Sequence, residues 1–290
     1  LDPDRHEAFC HRIAAYAELE LHEQAEVMFY RAQQLGDDCP ACYEHLGGSL
    51  ARRGALRKAA WCWQQAVTLD PQRRHLHRLL GQVYWQVGEM ELAQHFLERA
   101  LRDDPTDAET LLTLGVVFVE VDRPQEATEK LRWAVEIEPG MAVAHLYLGE
   151  LALLRGDIAA ARARFERAKE IEPAFPGVSS GLARAALGEG NAALAADHAL
   201  AELDATGHSP AQRLELGRLL LELKLATEAF EVLDALVADV QKDAELIRLL
   251  PDVLLARGAS LAMQGSVREA VTDMRRSVSL APDHAVAAQS

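Results

Sequence analysis

Hydrophobic positions along this chain recur with a helical period, and the helices themselves recur. Between Ala108 and Pro139, the residues Leu111, Leu114, Gly115 and Phe118 fall on one face at spacings of three and four or their sums, the pattern of an amphipathic helix. Asp122-Arg123-Pro124 breaks that pattern, because proline cannot continue a helix and presets φ for a new one. A second helix then turns Ala127, Leu131, Ala134 and Val135 inward, and Glu138-Pro139 closes the unit. The pattern predicts a pair of antiparallel helices, each of about three to four turns.

That pair is repeated. Gly47, Gly81, Gly115 and Gly149 stand 34 residues apart, and so do Pro71, Pro105, Pro139 and Pro173, and Ala66, Ala100, Ala134 and Ala168. Three residue types in one register, at a period within about 20–50 residues, mean stacked units rather than one globular core. The small residues leave room where helices approach closely. A 34-residue hairpin buries too little surface to fold alone, so stability comes from neighbour stacking on neighbour.

Composition agrees. The chain is 49% hydrophobic but only 6% aromatic, and alanine and leucine dominate, which suits close-packed helices. Net charge is −15, which disfavours wholesale binding to a phosphate backbone. Four cysteines, Cys10, Cys39, Cys42 and Cys62, are too few for a disulfide scaffold in 290 residues, so reduced thiols are expected. The longest apolar run, Leu111 to Val119, is too short to cross a bilayer.

The repeats resemble the tetratricopeptide repeat family, whose pattern runs aromatic, Leu-Gly, aromatic, Ala, large apolar, Ala, Pro. Tyr43, Leu46-Gly47, Ala59, Trp63, Ala66 and Pro71 match in one repeat; Leu80-Gly81, Tyr84, Ala93, Leu97, Ala100 and Pro105 match in the next; Leu148-Gly149, Ala161, Phe165, Ala168 and Pro173 match further on. The resemblance covers essentially the whole chain. It implies an all-α, right-handed superhelical solenoid of about eight helix-turn-helix repeats, a single solenoid over 1–290, at 6–39, 40–73, 74–107, 108–141, 142–175, 176–209, 210–243 and 251–284. The sixth is degraded, with Leu182-Ala183 for Leu-Gly and Glu202 where alanine is expected. Between Gly217 and Gly258 the spacing is 41, seven above the period. The extra piece, Ala244 to Leu250 ahead of Pro251, predicts a lengthened or kinked helix whose Leu246, Ile247, Leu249 and Leu250 pack on the neighbouring repeat.

The ends suggest a segment of a longer protein. Pro3 lies 68 residues, two periods, before Pro71, and the chain stops six residues after Asp283-His284, where another helix would start. Ala285 to Ser290 makes a weak cap, and self-association is one expected outcome. The opening residues of this sequence do not predict a signal peptide. The cytoplasm is the favoured compartment, the periplasm the alternative if a leader precedes the segment.

Enzymatic chemistry finds no support. There is no Gly-x-Ser-x-Gly elbow, no phosphate-binding loop and no His-Glu-x-x-His. No catalytic residue, cofactor or metal is predicted. His77 and His145 fill a slot the family gives to an aromatic, which implies packing. Cys39-Pro40-Ala41-Cys42 places a thiol at a helix N-terminus, where the macrodipole favours thiolate. It reads as a redox pair, half a metal site or two thiols at a turn. No second Cys-x-x-Cys completes a zinc site, and the last reading is preferred.

The resemblance places the binding surface on the concave face of the first helices. The residues implied there are Arg52, Arg78, Gln82, Trp85, Gln86, Leu112, Val116, Val119, Leu146, Glu150, Leu153, Arg184 and Arg218: basic, then apolar, then basic again. The family's carboxylate clamp of asparagines and lysines is missing, since Ala14, Gly48, Gln82, Val116, Glu150, Arg184, Arg218 and Ala259 occupy the clamp position. The expected function is a non-catalytic scaffold binding a partner peptide or helix in its groove. The alternative is a recruiting or regulatory arm of a larger enzyme or polysaccharide-secretion machine. A weaker reading makes the Arg52–Arg78 band, with Trp61, Trp63 and Trp85 close by, a binder of RNA or an anionic polymer.

Overall fold

The computed structural model describes residues 3–34, 39–243 and 246–281, residues 3–7 by backbone alone. The Ala285–Ser290 cap, Pro282, Asp283-His284 and Ala244 lie outside the described residues. Among these residues there is no strand, and sixteen α-helices follow one another. They fall into two compact units, Leu1–Pro139 and Gly140–Ser290, and the division lies at the end of the fourth predicted repeat.

The first unit holds α1 (Pro3–Glu18), α2 (His22–Gln34), α3 (Pro40–Arg52), α4 (Leu56–Leu69), α5 (His75–Gln86), α6 (Met90–Asp103), α7 (Ala108–Glu120) and α8 (Pro124–Ile137). The second holds α9 (Ala142–Leu154), α10 (Ile158–Ile171), α11 (Val178–Gly188), α12 (Ala192–Glu202), α13 (Pro210–Glu222), α14 (Ala226–Val240), α15 (Leu250–Met263) and α16 (Val267–Leu280). Odd and even helices pair as hairpins, and within each unit first helices also touch first helices: α1 meets α3 and α5 meets α7, then α9 meets α11, α11 meets α13 and α13 meets α15. This is an all-α helical-repeat fold.

The period has a steric cause. A Cβ added at Gly47 would lie 2.5 Å from the Trp63 indole, at Gly81 2.5 Å from Leu97, at Gly115 2.7 Å from Leu131, at Gly149 2.5 Å from Phe165 and at Gly217 2.6 Å from Leu233. Each glycine therefore lets the large side chain sixteen residues on, in the second helix of its own hairpin, lie against bare backbone. The pocket side chains Leu97, Leu131, Phe165 and Leu233 are all 0% exposed. In the sixth repeat, Gly181 stands two positions before the register slot and faces the preceding hairpin instead, with its Cβ position 2.5 Å from Phe165 of α10. Phe165 thus lies between two glycines.

A second period sits in the turns. Glu20, Gly54, Gly88, Asp122, Gly156, Gly190, Lys224 and Gly265 all have φ between +56° and +86°. Each joins the helices of one hairpin. The left-handed residue lets the chain reverse, and glycine holds five of the eight positions because it alone meets no Cβ penalty there.

Between α14 and α15 the structure differs from expectation. No helix is lengthened: α14 stops at Val240, and a 3₁₀ turn at Ile247–Leu249 leads into α15. Pro251 stands in the first turn of α15, where its missing N–H costs no hydrogen bond, so the helix starts afresh there. Leu250 is buried and Leu246 and Leu249 pack against the core of α14 and α15, whereas Ile247 is 49% exposed.

Candidate functional site

In the second unit α9, α11 and α13 stand side by side and enclose a cleft of about 400 Å³. Its floor is apolar, from Leu146 on α9 and Leu219 on α13. Glu150, Arg184, Glu215, Arg218 and Glu222 surround it, and Ser180, His208 and Gln212 add further polar groups. Leu146, Glu150, Arg184 and Arg218 are thus brought together here.

A buried carboxylate shapes one wall. Glu202, at the end of α12, is 1% exposed. It accepts hydrogen bonds from the backbone amides of Gly177 (2.5 Å) and Ser180 (2.8 Å), and His208 Nε2 lies 2.6 Å away. The N-terminus of α11, whose first amides lack helical acceptors, is thereby capped from another helix. The residue that makes the sixth repeat look degraded is the one that holds the wall, since a buried charge is tolerated only when hydrogen-bonded.

The arginines that the resemblance placed on the binding surface are engaged one repeat away. Arg184 pairs with Glu150, 34 residues earlier, and Arg218 reaches Asp252 at 3.2 Å, 34 residues later, and Glu215 at 2.8 Å. In the first unit Arg52 donates to the Ala17 carbonyl at 2.5 Å, Arg78 pairs with Glu109 at 2.5 Å, and Trp85 Nε1 donates to Glu120 at 2.9 Å. All of these except Arg218–Glu215, which lies within α13, tie neighbouring first helices together. Burial pushes the Glu150 carboxyl above the ordinary range, the Arg184 guanidinium pulls it back, and the Glu215 charge adds to the rise.

The apolar residues divide by burial. Val116 is 3% exposed and Leu146 8%, so most of their surface is spent on core packing. Leu112, Val119 and Leu153 are half-buried, as are Gln82 and Trp85, while Gln86 is exposed. Most of the Arg52–Arg78 band is paired with carboxylates: Arg53 with Glu26, Arg57 with Glu89, Arg73 with Glu44 and Asp70, and Arg74 with Asp103. His77 and His145 are buried, as their slot implies, at 3% and 5%. His77 Nδ1 bonds Asp103 at 3.1 Å, and its ring stacks on Phe96.

The Cys39-x-x-Cys42 pair has company that sequence reading missed. Cys10 Sγ on α1 lies 2.8 Å from Cys39 Sγ and 2.7 Å from Cys42 Sγ on α3. Repeat arithmetic carries a signal for it: Cys10 and Cys42 are 32 residues apart, close to one period, so neighbouring first helices bring them level. The contacts with Cys10 and Cys39, together with burial, push the Cys42 thiol far up. Cys62 stands apart, its thiol pushed up to about 12 by burial and by the Glu26 charge.

Two stretches, residues 46–108 and 118–185, match family models described as tetratricopeptide repeat. No curated protein matches the chain in sequence. Among solved structures, a tetratricopeptide repeat protein from Parabacteroides merdae ATCC 43184 is similar at 16% identity and a TM-score of 0.70, over 86% of this chain and 98% of that one. A MamA protein is similar at 23% identity and a TM-score of 0.52, over 57% of this chain and 90% of that one. At such identities the likeness is one of fold. Taken with the glycine register and the hairpin order, these matches identify the chain as a member of the tetratricopeptide repeat family.

Proposed function

We propose that the chain is a non-catalytic protein-interaction scaffold that holds an extended partner segment in the cleft between α9, α11 and α13. The observation that carries this reading is the cleft itself: an apolar floor at Leu146 and Leu219, ringed by charge, on the face where first helices adjoin. Concave sites with an apolar base and a few polar groups are the usual form of a ligand site.

Charge narrows the partner. Three glutamates and two arginines line the cleft, and both arginines already bond carboxylates. The surplus is acidic, and the Glu150 carboxyl, raised chiefly by burial, is raised further by the Glu215 charge. The segment that suits the cleft carries an apolar side chain for the floor and a lysine or arginine beside it. The pairing of most of the Arg52–Arg78 band with carboxylates favours this over an anionic polymer.

Filling the cleft tests the reading. Ala211 lines it and is exposed, and Ala159 on α10 is exposed outside it. Affinity capture with the whole chain as bait is expected to lose its partners with Ala211→Trp and keep them with Ala159→Trp. Equal recovery with both would overturn it. Leu146→Asp is a poor probe, because it would place a charge in the core.

A further inference from the structure

We propose that Cys10, Cys39 and Cys42 are three ligands of a binding site for a zinc-class thiophilic cation, clamping α1 to α3 in the first unit. The three Sγ atoms lie within 4.8 Å of one another. Cys42 is 0% and Cys39 4% exposed, while Cys10 is half-buried.

Geometry favours a cation over a simple thiol pair. Cys10 Sγ is almost equidistant from the other two, at 2.8 and 2.7 Å. A disulfide would take one of them and strand the third, whereas a cation takes all three. Zinc–sulfur bonds of about 2.3 Å place tetrahedral ligands about 3.8 Å apart, so loading opens the cluster by about 1 Å along each close edge.

Electrostatics agrees. A divalent cation displaces three thiol protons and leaves a centre of charge −1. Cys39 is the N-cap of α3, with Pro40 next to it. The first-turn amides of Ala41 and Cys42 lack helical acceptors, and the helix dipole favours negative charge at this end of α3. Three protein thiolates leave the fourth coordination position to water or a small donor. Joining adjacent repeats, the cation would stabilise the fold by mass action.

The test uses the whole chain, purified under reducing conditions. Metal analysis is expected to find about one zinc per chain. Cobalt(II) should produce a near-ultraviolet thiolate charge-transfer band with strong visible bands, bleached by added zinc. Cys10→Ser and Cys42→Ser should each remove the band, and Cys62→Ser should keep it. Circular dichroism establishes that the variants are folded; should Cys42→Ser unfold, the half-buried Cys10→Ser carries the test. A folded, reduced wild-type chain that takes up neither zinc nor cobalt would overturn the proposal. So would cobalt bands that survive Cys10→Ser, or a Cys10 disulfide in a chain that binds no metal once reduced.

Discussion

Two adjacent glycines in α3 give opposite answers to the same substitution. Gly48 has open space around its Cβ position, with nothing within 4 Å. Replacing a helix-interior glycine by alanine there should stabilise by about 0.5–1 kcal/mol, through the propensity difference alone. At Gly47 the new methyl would lie 2.5 Å from Trp63 Nε1 and 2.6 Å from Cδ1. Carbon–carbon contacts rest at about 3.5–4.0 Å, so the indole must retreat by about 1 Å. It has little room, being 4% exposed with its N–H donated to the Glu44 carbonyl at 3.2 Å. Overpacking of this kind costs about 1–3 kcal/mol. Net of the propensity gain, Gly47→Ala should destabilise by about 1–2 kcal/mol. Urea unfolding followed by circular dichroism, with amide exchange on α3 and α4, reads both variants. In a Trp63→Ala background the Gly47→Ala penalty should vanish. A Gly47→Ala chain as stable as Gly48→Ala, or a penalty that survives Trp63→Ala, would refute the reasoning.

Three further outcomes follow from single features. Glu202→Ala fits the small slot sterically but strands the Gly177 and Ser180 amides; at about 1–3 kcal/mol per stranded donor, it should lower thermal stability markedly and speed amide exchange at the start of α11. Lys224 holds a left-handed φ of +63°, so Lys224→Gly should raise the urea midpoint by the equivalent of about 1 kcal/mol. Burial, helped by Arg99 and Arg102 and opposed by the Asp103 hydrogen bond, lowers the His77 pKa below its ordinary 6.5. As pH falls through that ordinary value the unfolded chain binds the proton first, so stability present above it is lost down to the folded pKa; His77→Phe should flatten this slope in urea midpoints measured across it.

Much of the fold was legible because its cause is steric and periodic. A glycine and a large apolar residue sixteen positions on must coincide wherever two helices cross closely, so the register appears in the letters. The turns were harder. Asp122 and Lys224 take the conformation that Gly54 and Gly88 take, and residue types that differ hide a shared φ. The seven-residue insertion misled because its apolar residues read as more helix, while Pro251 resets the helix start. The site was legible only by position. Family register placed Leu146, Glu150, Arg184 and Arg218 on one face. It did not show that Glu150 already holds Arg184, that Val116 is buried, or that Glu202 builds the cleft wall. Those depend on distances between residues far apart in sequence. Cys10 illustrates the same gap: no local motif includes it, and only stacking of neighbouring repeats brings it to Cys39 and Cys42.

The central claim is that a partner lies in the cleft of the second unit, and site-specific photo-crosslinking tests it most directly. A photoreactive phenylalanine at Ser180, which lines the cleft, should form crosslinks to a bound segment, and mass spectrometry should find an apolar residue flanked by lysine or arginine at the attachment point. The same probe at Ala159 should capture nothing. Crosslinks from Ala159 with none from Ser180 would contradict the account.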